Sequence, residues 1–151
     1  MPRARGTLVL SGLFAILACG QSGDAEPAAR TAVPDSTLVA TLTTDRPAYA
    51  PGDPITLTLT LRNTTSAPMT LEFSSAQRYD FTIEDARAPV WRWSAAQTFA
   101  QMVGEETLAP GDSVVYRERF RRELTAGPYR AVGTIVRMGE AISASAEFQV
   151  R

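Results

Sequence analysis

Ile55-Thr56-Leu57-Thr58-Leu59-Thr60-Leu61 sets an aliphatic side chain at every second position with a threonine between each pair. Successive side chains of a strand point to opposite faces, so Ile55, Leu57, Leu59 and Leu61 form one apolar face while Thr56, Thr58 and Thr60 meet water. A strand with one dry and one wet face belongs to an antiparallel sheet covered on a single side. The same period puts Met69, Leu71 and Phe73 on a core face, and Ile142, Ala144, Ala146, Phe148 and Val150 on another. Weaker runs at 38–44, 79–85, 90–94, 114–120 and 129–137 bring the expected count to about eight strands. Only residues 95–103 suggest a helix, with Ser94 as its cap and Phe99, Met102 and Val103 at helical spacing.

The connections agree with this pattern. Ala50-Pro51-Gly52-Asp53 and Ala109-Pro110-Gly111-Asp112 each precede a strand. Proline fixes one dihedral of a type II turn and glycine supplies the positive one, so both are expected as corners. Residues 124–131 place Tyr129 just after Gly127-Pro128, the arrangement of a tyrosine corner, where a phenol hydroxyl returns to the backbone of the preceding connection. The expected fold class is therefore all-β, an Ig-like antiparallel β-sandwich of about eight strands.

The chain has 151 residues, 44% hydrophobic and 21% charged, enough for one core. Fifteen basic residues, all arginine, stand against 16 acidic ones, a net charge of -1. Such a balance makes no field that would gather nucleic acid. Histidine is absent, which excludes serine triads and histidine-bearing zinc sites. There is no calcium-loop spacing and no glycine-rich phosphate loop, so no cofactor and no metal are expected. Glu84-Asp85 and Glu105-Glu106 are sequence neighbours, which strands send to opposite faces, so neither pair is an acid–base dyad. The chain is read as a non-enzyme.

Residues 1–18 carry Arg3 and Arg5, no acid, and an apolar run from Leu8 to Ala18 that is shorter than a membrane span. They are expected to be a signal peptide. Ile16-Leu17-Ala18-Cys19-Gly20 resembles the lipobox of bacterial lipoproteins, which implies lipidation of Cys19, the one cysteine of the chain. Residues 19–36 then read as a lipid-anchored flexible linker, poor in anything that could offset the entropy of ordering. The domain follows at 37–151. An exported protein tied to the membrane through its lipid is expected, at the bacterial cell envelope. Gly20 in place of aspartate after the cysteine favours the outer membrane.

Two runs, 79–84 and 90–94, flank a five-residue loop, a hairpin pattern. Symmetric pairing sets Glu84 against Val90, Ile83 against Trp91 and Phe81 against Trp93, with Tyr79 beyond on the same face. That aromatic face is expected to cap the core. On the other face Asp80 and Arg92 become diagonal neighbours, an ion pair that fixes register. Gln77-Arg78-Tyr79-Asp80-Phe81, Val90-Trp91-Arg92-Trp93-Ser94, Phe99 and Leu108-Ala109-Pro110-Gly111 closely resemble the BsuPI family, named for an intracellular proteinase inhibitor of bacilli. The likeness extends upstream through Tyr49-Ala-Pro-Gly52 and 57–63, and downstream to Gly127-Pro128-Tyr129. The resemblance implies an Ig-like sandwich and inhibition of a subtilisin-like serine protease.

Partner-binding candidates are Phe99 and Met102 in the apolar loop, Arg87 at the hairpin tip, and Arg78, Asp80 and Arg92 of the two signature blocks. Two functions stay open: an inhibitor acting on a serine protease, and an Ig-like interaction or assembly module that docks another envelope protein. Val115, Arg117, Arg119 and Arg121 alternate along one face of their strand; the pattern suits a solvated edge strand, or a dock for an acidic partner. Asn63-Thr64-Thr65 has the spacing of a glycosylation acceptor and is read as a turn at the end of its strand.

Overall fold

A computed structural model describes residues 29–30 and 38–151. Signal segment, Cys19 and most of the linker expected at 19–36 lie outside the described residues. The described residues form eleven strands: β1 (Ala29–Arg30), β2 (Leu38–Thr44), β3 (Ala48–Tyr49), β4 (Ile55–Asn63), β5 (Met69–Phe73), β6 (Tyr79–Glu84), β7 (Pro89–Arg92), β8 (Gly104–Leu108), β9 (Ser113–Phe120), β10 (Gly127–Ile135) and β11 (Ile142–Val150). One sheet runs β1-β11-β10-β6-β7, with β3 pairing parallel to β11. The second is β2-β4-β9, and β5 pairs with β8 in a separate ribbon. Every other pairing is antiparallel.

The alternation in β4 is obeyed: Ile55, Leu57, Leu59 and Leu61 are buried, with the threonines between them partly exposed. They meet Leu38, Ala40 and Leu42 of β2, Phe81 and Ile83 of β6, Ala131 and Ile135 of β10, and the inward row of β11 in one core. Leu71, Phe73 and Leu108 bring the β5–β8 ribbon into the same core. At Gly133 the sheets approach so closely that an added Cβ would lie 3.0 Å from a methyl of Leu59 and 3.2 Å from one of Leu42. A strand glycine here makes room for leucines of the facing sheet.

Both Pro-Gly corners form. Asp53 N–H reaches Ala50 C=O at 3.1 Å and Asp112 N–H reaches Ala109 C=O at 3.0 Å, with Gly52 and Gly111 at φ +84° and +81°. The tyrosine corner closes as expected, Tyr129 hydroxyl donating to Thr125 C=O at 3.0 Å. Near the first corner Tyr49 donates to Asp45 Oδ1 at 2.8 Å and accepts Arg46 N–H at 3.0 Å. Burial pushes its phenol up to about 12, and the Asp45 bond adds to this.

The second corner has a feature that the turn reading understated. Asn63 is fully buried. Its amide nitrogen donates to Ala67, Leu108 and Ala109 C=O at 2.8, 3.0 and 3.2 Å. Its oxygen accepts Thr65 N–H at 3.0 Å and Thr65 Oγ1 at 2.7 Å. A single side chain thus ties the end of β4 to the connection between β8 and β9, leaving no glycan acceptor on the surface.

Four expectations need correction. Eleven strands replace about eight, because β1 and β3 are two-residue pieces visible only as partners of β11, and β8 has a single buried apolar residue, Leu108. Ala29–Arg30, placed by the sequence in the linker, pairs with Ala146 and Ser145. The helix at 95–103 does not form: a 3-10 turn covers Ser94–Ala96, and Phe99 instead spends its ring on Trp93. Tertiary packing overrode a three-residue periodicity. In the hairpin, Glu84 faces Pro89 rather than Val90, since a register shift falls at Ile83/Glu84 and proline gives no ladder donor.

Candidate functional site

The loop joining the 3-10 turn to β8, residues 97–103, carries the most exposed large apolar side chains of the domain, Met102 (67% exposed) and Val103 (69%). Its roots are fixed by Arg78, Tyr79 and Asp80, which run into and begin β6. At one root, Asp80 accepts Ser94 N–H at 3.1 Å and Ser94 Oγ at 2.6 Å, while Arg92 Nε lies 3.7 Å from the same carboxylate. The ion pair sits where the sequence placed it, and the serine bonds are its larger consequence.

At the other root, Arg78 donates from Nε to Glu106 Oε1 at 3.0 Å and from Nη1 to Ser75 C=O at 2.6 Å. Its guanidinium lies 4.4 Å over the Phe73 ring and packs directly on Gly104, where any Cβ would strike it. A side chain at 104 would therefore displace the Arg78 guanidinium from this position. Glu106 passes the contact on, accepting Tyr116 hydroxyl on its other oxygen at 2.9 Å.

Between the roots, Ala76 N–H bonds Ala100 C=O at 2.9 Å, and Ala100 C=O also accepts Met102 N–H at 2.9 Å. Phe99 is half-buried on Trp93, with ring centroids 5.7 Å apart. Trp93 stacks on Tyr79 at 4.5 Å, and Tyr79 on Tyr116 at 4.5 Å. Tyr79 hydroxyl donates to Glu118 at 2.7 Å. Burial and these carboxylate bonds raise the phenols of Tyr79 and Tyr116 well above the ordinary value. The ladder runs from the loop to the facing sheet.

Trp91 packs edge-on to Phe120 at 5.2 Å. Both tryptophans are half-buried, lying along the flank of the core instead of inside it. Arg87 is exposed at the hairpin tip, where Asp85 Oδ1 accepts the N–H groups of Arg87 and Ala88 at 2.7 and 2.9 Å. Those bonds, that of Ala88 first, hold the Asp85 carboxyl below its usual range. Of the six candidates, then, Phe99, Arg78, Asp80 and Arg92 are gathered around the loop, Met102 is displayed on it, and Arg87 stands apart on the hairpin. Sequence reading gave Ser94 as a helix cap rather than as a partner of Asp80, and missed Gly104, Glu106 and Glu118 as site residues. A glutamate at an inward strand position, as Glu106 is in register with Leu108, was the available signal.

Fold and loop together define an antiparallel β-sandwich that displays one apolar loop from a rigid base. Residues 42–140 match the BsuPI family, intracellular proteinase inhibitor, and the chain belongs to that family. The family is one of inhibitors rather than enzymes. No curated protein matches the chain. Among solved structures it is similar to a cycloisomaltooligosaccharide glucanotransferase of Paenibacillus sp., with 22% identity and TM-score 0.48 over 72% of this chain and 13% of that one. A β-glucosidase from Erythrobacter marinus gives 11%, 0.46, 76% and 15% in the same order. Sporulation control protein Spo0M from Bacillus subtilis gives 14%, 0.45, 76% and 48%. The chain spans less than half the length of each.

Proposed function

We propose that this protein inhibits a subtilisin-like serine protease at the cell envelope, with residues 97–103 as the contact loop and a lipid on Cys19 as the anchor. The observation that carries the proposal is the loop's double rooting in Arg78 and Asp80. A loop whose conformation is fixed before contact loses little entropy on binding, and this favours tight association. Met102 and Val103 offer the large apolar side chains that such proteases accept, and a standard interface would bury about 800 Å² per partner.

The test is inhibition of subtilisin-like enzymes, and of the serine proteases of its own envelope, by the full chain at micromolar concentration. Met102→Asp should abolish inhibition and Arg87→Ala should leave it intact. Absence of inhibition by the parent chain would overturn the proposal and favour an interaction module.

A further inference from the structure

The outward face of the β2-β4-β9 sheet carries basic groups and no carboxylate. Outward positions on β2 and β4 are threonines with Val39 and Arg62, and those on β9 are Ser113, Val115, Arg117 and Arg119. Glu118, the acid of β9, points inward to Tyr79. The chain as a whole has a net charge of -1, so this is a local segregation of charge. Among the described residues neither Arg117 nor Arg119 has a recorded ion pair or side-chain hydrogen bond, and both are exposed.

β9 is also the end strand of its sheet. Asn63 N–H bonds Asp112 C=O, and the register then runs Leu61↔Val114, Leu59↔Tyr116, Leu57↔Glu118. Antiparallel ladders alternate between positions that bond their partner and positions that do not. Val114, Tyr116 and Glu118 are bonded to β4, so the backbone groups of Ser113, Val115, Arg117 and Arg119 point away from the sheet. One strand therefore aligns free N–H and C=O groups with guanidinium groups at two successive outward positions, Arg117 and Arg119.

We propose that β9 is a docking edge for an extended segment of another protein with carboxylates at alternating positions. An added strand would continue the ladder on β9. Alternate residues of a strand lie about 6.8 Å apart, so acids at every second position of the guest match the spacing of Arg117 and Arg119, as directly opposed pairs of unlike charge. Val115, 40% exposed, offers an apolar contact next to them. This assignment does not depend on inhibition by the 97–103 loop, which belongs to other strands.

The probe is a capped synthetic peptide with glutamate at alternating positions among threonine and valine. Its control has the same composition with the glutamates contiguous. Amide exchange of the full-length chain is followed by NMR. The alternating peptide should slow exchange at Val115, Arg117 and Arg119 about tenfold and bind about tenfold more tightly than the control. Arg117→Gln with Arg119→Gln, both surface changes, should remove that preference. Equal binding of the two peptides, or binding without protection of these three amides, would overturn the proposal as mere ionic attraction. No binding would overturn it too, leaving the arginines as guards against strand addition. Protection that grows with chain concentration alone would put a second copy of this chain on the edge and overturn the assignment to another protein.

Discussion

Asn63→Ala should destabilise the domain far more than a polar residue in a turn normally would. The substitution removes three donated bonds and two accepted ones. The Leu108 carbonyl lies at the buried end of its bond and loses its Asn63 donor away from water, at a cost of about 1–3 kcal/mol. The carbonyls of Ala67 and Ala109 and the Thr65 groups can rehydrate, so each loses only the net value of a hydrogen bond, about 0.5–1.5 kcal/mol. With those four bonds at the lower end of that range, because their groups regain water, the total expected is about 3–5 kcal/mol. In a domain of this size one kcal/mol moves the melting temperature by about 4 °C, so Tm should fall by about 12–20 °C. Urea titration followed by tryptophan fluorescence measures the free energy, and calorimetry measures Tm. Asn63→Asp should be no milder, because a carboxylate would face three carbonyls. A loss below about 1 kcal/mol for Asn63→Ala would show that the corner holds without its side chain, refuting the reasoning.

Trp93→Ala should cost about 2–3 kcal/mol, less than the 3–5 kcal/mol of a fully buried aromatic, and it should weaken inhibition as well by unseating Phe99; denaturation and inhibition measured on the same variant check both. Gly133→Ala should destabilise by about 1–3 kcal/mol through crowding of Leu42 and Leu59, read from a urea midpoint. Tyr49 has its phenol raised to about 12 from an unfolded value near 10. Its contribution to stability is complete below pH 10 and declines by about 1.4 kcal/mol per pH unit from there to 12; Tyr49→Phe should flatten that part of the stability profile. Cys19→Ser should leave an unprocessed or soluble protein where the parent partitions into detergent; identical partitioning of the two would refute lipidation.

Strand periodicity, corners and hairpin were legible in the sequence because each depends on neighbours a few residues apart. Period-two alternation decides which face of β4 is dry, Pro-Gly decides where the chain turns, and the two signature blocks decide the family. Residues 99–104 read as an exposed apolar stretch, and Met102 and Val103 are exposed, yet the helical spacing just before them does not hold: whether Phe99 winds into a turn or lies on Trp93 depends on a strand hairpin that local pattern does not encode. The partners of Arg78 and Asn63 were likewise not legible, since they lie 28 residues apart for Arg78 and Glu106 and 45 for Asn63 and Leu108. Sequence by itself determined the faces of the strands and the positions of the corners, because side-chain alternation and turn dihedrals are properties of adjacent residues. Only the tertiary structure decided which polar groups meet across the sandwich, because closing those long loops is driven by burial of the whole core and not by the groups it brings together.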